Sequence, residues 1–525
     1  MTDSSSVVDI TKGSLVTGLL RLAWPSVLQA VLSNCYTVAD FFFIGHLPDK
    51  AQAAAGTTAI AASVGLTICL FGLHNIIPAG CNAYSAQFKG AEDKKNLGLT
   101  FQAGFWSCLL LSTAVAIAGH IFIENIAKIP NSTPEVTAEI SKFLGILLRT
   151  SPAFGLLLLI DGFFKSCGNT VYPLKLEVAS LFINVALNWL FVFRLGMGIS
   201  GSASASALSR LLPALVGLQQ ICAGRLNGIQ VTLLSLDDEL PKRAMAMFKL
   251  GIFQSCSDWL YGGVFTVMMR LAGSLGPAQQ AGLGAGMRGL EWLSFCMSEG
   301  FLVAALTSVG NLIGANMQRK AILAAILAAS MSSLCGCITG LPFIFYSKQI
   351  SAMLSDDAEI IEYCSIYVKY QGFASFGVGF EMATYGAFIG AGKAREVFLT
   401  NGSMNILRIP LCVACIFGSK NFGAGLAWVI GFKAAPPAIT GDFSCIAIII
   451  ACTAVAKAAL FCCWLNYRWW SKMNFSDAIL IEQCVGGELV NDGGDEIREG
   501  QKYIQLSTLD SSAHGKEQHQ EEQQC

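Results

Sequence analysis

One carboxylate, Asp40, lies near the end of an apolar stretch, Arg21 to His46 (RLAWPSVLQAVLSNCYTVADFFFIGH), which is long enough to cross a bilayer and carries Pro25 inside its start. A carboxylate at membrane depth costs a few kcal/mol at least and is usually kept for an ion pathway, a proton relay or a substrate site. At about 1.5 Å per residue, Pro25 and Asp40 stand about 22 Å apart along a helix, so the kink point and the acid fall in opposite leaflets. Asn184 and Asn188, in LFINVALNWLFVF, are four apart and share one helix face. Two readings stay open for them: hydrogen-bond glue between helices, or a lining of the Asp40 pocket whose carbonyl oxygens serve a proton relay or a cation. Asp40 has its own alternatives, a helix cap or a basic partner.

In the second half, Asp258, Glu291, Glu299 and Glu381 fall within apolar stretches, accompanied by Trp259, Tyr261, Trp292 and Tyr385. Any one acid could close a helix end, whereas four together call for a polar cavity. Carboxylates beside aromatic faces suit a bulky organic cation. Asp258, Tyr261, Glu291, Glu299, Glu381 and Tyr385 are therefore the candidate substrate-cavity residues.

Other chemistry finds little support. His46, His74 and His120 lack metal-ligand spacing, and no nucleophile has a plausible base. Gly392-Lys393 looks like a phosphate loop only in part, because Ala387 and Ala394 occupy the places of its first glycine and its hydroxyl. Cys412 and Cys415 have CxxC spacing inside an apolar run, where cysteine behaves as a small hydrophobe. The expectation is a non-enzyme with no metal, no cofactor beyond a coupling ion and no nucleic-acid face.

The elements that must hold these residues follow from composition. With 54% hydrophobic and 13% charged residues in 525, the chain has the profile of a polytopic membrane protein. Apolar stretches of spanning length recur twelve times, near 19–44, 53–79, 97–123, 143–164, 174–193, 199–223, 244–271, 285–313, 321–345, 366–391, 397–417 and 446–465. Lysine and arginine favour the loops on the side of both termini, which places the termini in the cytoplasm. From Ser471 onward 11 acidic residues face 4 basic ones, the mark of an acidic, disordered tail.

An internal repeat organises the whole. Gly90-Ala91 matches Gly314-Ala315, Gly168 matches Gly392 and Gly201 matches Gly425, each 224 residues on. Six helices per repeat return the chain to the same side, so the halves are parallel repeats about an axis along the membrane normal. At the same offset Asp40 maps to Val264, Asn184 to Arg408 and Asn188 to Cys412, which confines ion-type chemistry to the first half. The expected fold is all-α, with about twelve transmembrane helices in two six-helix lobes around a central cavity. Its parts are a cytoplasmic N-terminus (1–18), an N-lobe (19–223), a linker (224–243), a C-lobe (244–470) and the tail (471–525). Between Trp428 and Ile446 the sequence GFKAAPPAITGDFSC reads as an insertion, near 431–445, in what should be the last helix.

From about Leu15 to Trp470 the chain resembles the multidrug and toxic compound extrusion (MATE) family, closer to its eukaryotic members. LAWP with Asp40 and FFFIGHL resembles the first-helix pattern, AQFKGAEDKK the loop after helix 2, NVALNW the helix-5 Asn-x-x-x-Asn/Asp, GISGSASA the helix-6 entry and SVGNLIGA the helix-8 end. The resemblance implies a two-lobed antiporter that exports organic cations, drugs or other amphipathic compounds in exchange for H⁺ or Na⁺. Asp40, Asn184 and Asn188 would be its first-lobe ion site and Pro25 the bend of helix 1. Some members have Asp where this chain has Asn188. The family's helix-7 glutamate falls near Tyr261, with Asp258 the nearest acid. Glu381 stands about one turn, and Glu291 about two residues, from the positions of acids in other members. A monomer is expected, in the plasma membrane, with internal membranes the alternative. A lipid-linked sugar flippase of the same superfamily, or a polytopic receptor or channel, is the alternative.

Overall fold

A computed structural model describes residues 7–465, apart from 131–132, 227, 230, 234–236, 356 and 431–435. The tail expected beyond Ser471 and part of the expected insertion lie outside the described residues. The first lobe comprises α1 (Leu15–Gly45), α2 (Lys50–Ala62) followed by α3 (Val64–Gly90), α4 (Lys94–Ala127), α5 (Pro134–Arg149) followed by α6 (Ser151–Ser166), α7 (Val171–Asn188) and α8 (Gly198–Cys222). The second comprises α9 (Leu240–Leu275), α10 (Pro277–Ala285) with α11 (Trp292–Gly314), α12 (Gln318–Phe345), the short α13 (Ser347–Ser351), α14 (Ala358–Gly390), α15 (Ala394–Ile430) and α16 (Phe443–Trp464). Asp49, Asp93, Asp357 and Asp442 cap α2, α4, α14 and α16 by accepting from backbone N–H groups. Those loop acids have a structural task that Asp40 lacks.

Counting each bent pair as one span gives the twelve expected crossings. Among the described residues, eight helices, or nine with the bent α5–α6 pair, are apolar and long enough to cross a bilayer on composition alone. The three that fall short are α8, α9 and α14, which carry Ser202 and Ser206, Asp258, and Glu381 respectively. Two boundaries differ most from expectation. The second span reaches Gly90, well past residue 79, through a break at Ser63. The eleventh helix turns at Gly418 (φ 71°, ψ 169°) and runs on as a short helical segment to Ile430, before α16 starts at Phe443. Pro436, Pro437, Gly441 and Asp442 lie outside helix, as their chemistry requires. Gly201 therefore opens a membrane span whereas Gly425 sits in the segment ahead of one, because the insertion displaces the last helix from the repeat.

Elsewhere the repeat holds at the level of single backbone angles. Gly168 (φ 84°) and Gly392 (φ 76°) end α6 and α14, and the non-glycine residues Glu92 (φ 58°) and Asn316 (φ 57°) are likewise 224 apart. The lobes meet across the same symmetry. A Cβ on Gly90 would stand 1.9 Å from the Asn311 carbonyl oxygen, and one on Gly314 would stand 1.9 Å from that of Gln87. Only glycine allows backbones this close. Gln87 Nε2 donates to the Gly390 carbonyl (3.0 Å), and its repeat partner Asn311 Nδ2 donates to that of Ser166 (3.4 Å). The result is a reciprocal latch between lobes at the end that carries the Gly90 and Gly314 loops.

Candidate functional site

Asp40 sits one turn before the end of α1, which runs unbroken through Pro25. It is 7% exposed. Its Oδ1 accepts from Ser202 Oγ (2.7 Å), Asn188 Nδ2 (3.2 Å) and Ser206 Oγ (3.3 Å), and its Oδ2 accepts from Ser206 Oγ (3.1 Å). Asn188 Nδ2 also reaches Asn184 Oδ1 (3.1 Å), and Asn184 Nδ2 donates to Ser206 Oγ (3.1 Å). Thus α1, α7 and α8 bring Asp40, Asn184 and Asn188 into one closed network, the amides from one face of α7. Among the described residues no basic group forms an ion pair with Asp40. The nearest base on α8, Arg210, stands instead over the rings of Tyr36 and Phe154, 5.1 and 5.3 Å from their centroids. Every direct partner of the carboxylate is therefore neutral. Among the described residues the buried Asn188 Oδ1 has no hydrogen-bond partner and is a spare acceptor beside the acid.

Ser202 and Ser206 escaped the sequence reading, although their four-residue spacing within GISGSASA was a usable signal. They reach Asp40 from successive turns on one face of α8. Directly after Asn188 the backbone widens into a π segment, Trp189–Arg194, an irregularity frequent at functional sites.

Five of the six second-half candidates, Asp258, Tyr261, Glu291, Glu381 and Tyr385, are linked to one another by electrostatic reach, and Glu299 lies apart from them. Glu291 closes a second π segment, Gly286–Glu291, and accepts from Tyr367 OH (2.5 Å) and Gln371 Nε2 (2.8 Å) on α14, with Tyr261 in electrostatic reach. Glu381, 6% exposed, is paired with Lys457 of α16 at 2.9 Å. Asp258 packs toward Gly72 of α3, beside Trp259, whose indole donates to the Cys69 carbonyl (3.0 Å). Tyr385 lies buried within reach of Asp258 and Glu381. Glu299 belongs spatially with first-lobe residues: Glu177, and Asp161, which is paired to Lys165 at 2.7 Å and accepts from Gln29 (2.7 Å). Two buried cations, Arg408 and Lys457, offset the acids of this lobe. Lys457 was legible as the lone charge in the last apolar run.

A two-lobed helical membrane bundle with an unpaired carboxylate inside its first lobe defines a class of membrane transporter, and comparison with known proteins specifies it. The profile of the MatE family matches the chain twice, over residues 25–190 and 252–414, more than half of its length, and the chain belongs to that family. The two matches end 224 residues apart, the spacing of the repeat. The probable multidrug resistance protein NorM of Thermotoga maritima is 24% identical over 429 residues, covering 78% of this chain and 88% of that protein. The multidrug and toxin extrusion protein 1 of Xenopus tropicalis is 24% identical over 408 residues, 77% of this chain and 69% of that one. Among solved structures, a MOP superfamily transporter from Pyrococcus furiosus superposes with a TM-score of 0.77 at 16% identity, covering 91% of this chain and 99% of that one. The eukaryotic MATE transporter AtDTX14 gives 0.74 at 18% identity, with 88% and 99% covered.

Proposed function

We propose that the protein is a secondary active antiporter that exports organic cations, drugs or related amphipathic compounds in exchange for H⁺ or Na⁺, by alternating access of its two lobes. The observation that carries this reading is Asp40, a buried carboxylate with four hydrogen bonds from neutral groups and no cation in contact. Such a group is stable when it takes up a proton or a small cation and strained when it does not. Its occupancy can therefore follow an ion gradient. The spare Asn188 oxygen would complete the coordination of a cation or accept the proton of the neutral acid. Loss of the charge changes what α1 must satisfy, and helix 1 would then bend at Pro25, where the ring removes one backbone hydrogen bond. Relatives named for multidrug resistance and toxin extrusion support export as the direction. The lysine and arginine pattern supports termini in the cytoplasm, and motifs nearer the animal-type members, such as SVGNLIGA, support residence in the plasma membrane.

The test is efflux of a fluorescent organic cation from proteoliposomes, under a pH gradient and separately under a sodium gradient, for the wild type and Asp40→Asn. Transport driven by one gradient and lost in the variant is the expected result, and the effective gradient identifies the ion. Undiminished gradient-driven transport by Asp40→Asn would sink the role of the acid. No flux under either gradient would redirect attention to lipid flipping.

A further inference from the structure

The repeat places a guanidinium in the second lobe where the first has an amide. Asn184 on α7 donates to Ser206 on α8 (3.1 Å), and its repeat partner Arg408 on α15 donates through Nε to Thr453 on α16 (2.7 Å). The two bonds join equivalent helices in the two lobes. What differs is the third participant. In the first lobe Asp40 completes the network, and at the equivalent point of α9 stands Val264, buried and apolar.

Arg408 is 6% exposed. Among the described residues Nε accounts for its one hydrogen bond, so both terminal nitrogens lack a partner, and no carboxylate lies within ion-pair distance. The neighbouring acids are already engaged: Glu381 with Lys457 at 2.9 Å, Glu291 with Tyr367 and Gln371. They balance the guanidinium charge at a distance without using its donors. Asn401 and Asn405, seven and three residues before Arg408 on the same face of α15, are buried with side-chain oxygens that also lack partners. A guanidinium stays charged at any physiological pH and presents a planar fork matched to a carboxylate.

We propose that the second lobe binds the carboxylate of an amphipathic substrate on the free edge of Arg408, so that carboxylate-bearing, zwitterionic compounds are preferred over their purely cationic counterparts. The substrate carboxylate takes the place that Asp40 holds in the other lobe. The two lobes thus present opposite polarity, an acid with amides in one and a guanidinium with amides in the other. This inference rests on the transport reading for its choice of ligand, but it is a statement about binding and is read without a gradient.

The experiment measures fluorescence polarisation of rhodamine 110, a free acid, and its methyl ester rhodamine 123 with the full chain in lipid nanodiscs. The acid is expected to bind at least about tenfold tighter than the ester. Arg408→Gln should erase that preference while leaving the ester's affinity within about twofold, and Arg408→Lys should keep part of it. Val264→Asp, which supplies an internal carboxylate, should erase it too and covers the case in which Arg408→Gln does not fold. Benzoate should displace the acid dye, and inorganic phosphate should not. Equal binding of acid and ester by the wild type, equal weakening of both by Arg408→Gln, displacement by phosphate alone, or no saturable binding of the acid each overturns the proposal. An Arg408-dependent acid preference without any gradient-driven flux would leave this site standing and remove the antiport reading.

Discussion

Asp40 shows how much a buried charge depends on the groups that face it. A hydrogen bond to a charged group contributes about 1.5–3 kcal/mol, and Ser202 and Ser206 supply the hydroxyls among its partners. These donors favour the ionised form, so removing one makes proton uptake easier. If the coupling ion is a proton, Ser202→Ala is expected to move the midpoint of the pH–rate profile upward by about one to two pH units, at 1.36 kcal/mol per unit. Dye efflux measured across a pH series checks this, and a downward move would contradict the assigned donor role. Lys457 and Glu381 make the opposite case, a pair that satisfies itself. Lys457→Met leaves Glu381 buried without its cation and should cost about 3–5 kcal/mol, whereas Lys457→Met with Glu381→Leu should recover most of the loss. Chemical denaturation of the purified variants gives both numbers.

At the scale of helices, small residues decide which pairs touch and irregular turns decide where side chains aim. Gly90 and Gly314 admit the opposing backbones of α11 and α3, and a side chain at either place collides with a carbonyl oxygen that cannot rotate away. Gly314→Val is expected to fold, since each lobe retains its own core, but to lose most transport because the lobes cannot meet at this end. Size-exclusion and circular dichroism test the first half of that statement, and vesicle efflux tests the second. The repeat anchored by these glycines was legible in the sequence because close approach leaves a fixed residue type at a fixed spacing. The start of the last helix was legible as well, Phe443 against an expected Ile446, whereas the turn at Gly418 and the helical segment beyond it to Ile430 were not, because a single left-handed glycine leaves no mark in the apolar pattern.

In the molecule as a whole, the latch made by Gln87, Asn311, Gly90 and Gly314 holds the two lobes together at one end. Gln87 and Asn311 each donate one hydrogen bond across the lobes, worth about 0.5–1.5 kcal/mol apiece. Gln87→Ala with Asn311→Ala should therefore shift the equilibrium toward separation of this end by about 5- to 150-fold. Spin labels at the exposed Lys95 and Arg319, which are repeat partners, would report a growing long-distance population on a background with accessible cysteines replaced. An unchanged distance distribution would assign the closure to packing alone.

Composition and spacing by themselves determined that the chain spans a membrane about twelve times, that it is a parallel duplication, and that Asp40, Asn184 and Asn188 are its conspicuous buried polar groups. These are local or periodic properties, and a chain carries them whether or not it is folded. Only the tertiary structure decided which partners meet. Ser202 reaches Asp40 from 162 residues away, Lys457 reaches Glu381 from 76, and Arg408 reaches Thr453 from 45. A buried charge is stabilised or left wanting by whatever the fold brings within about 3 Å of it, and no property of the neighbouring sequence specifies that.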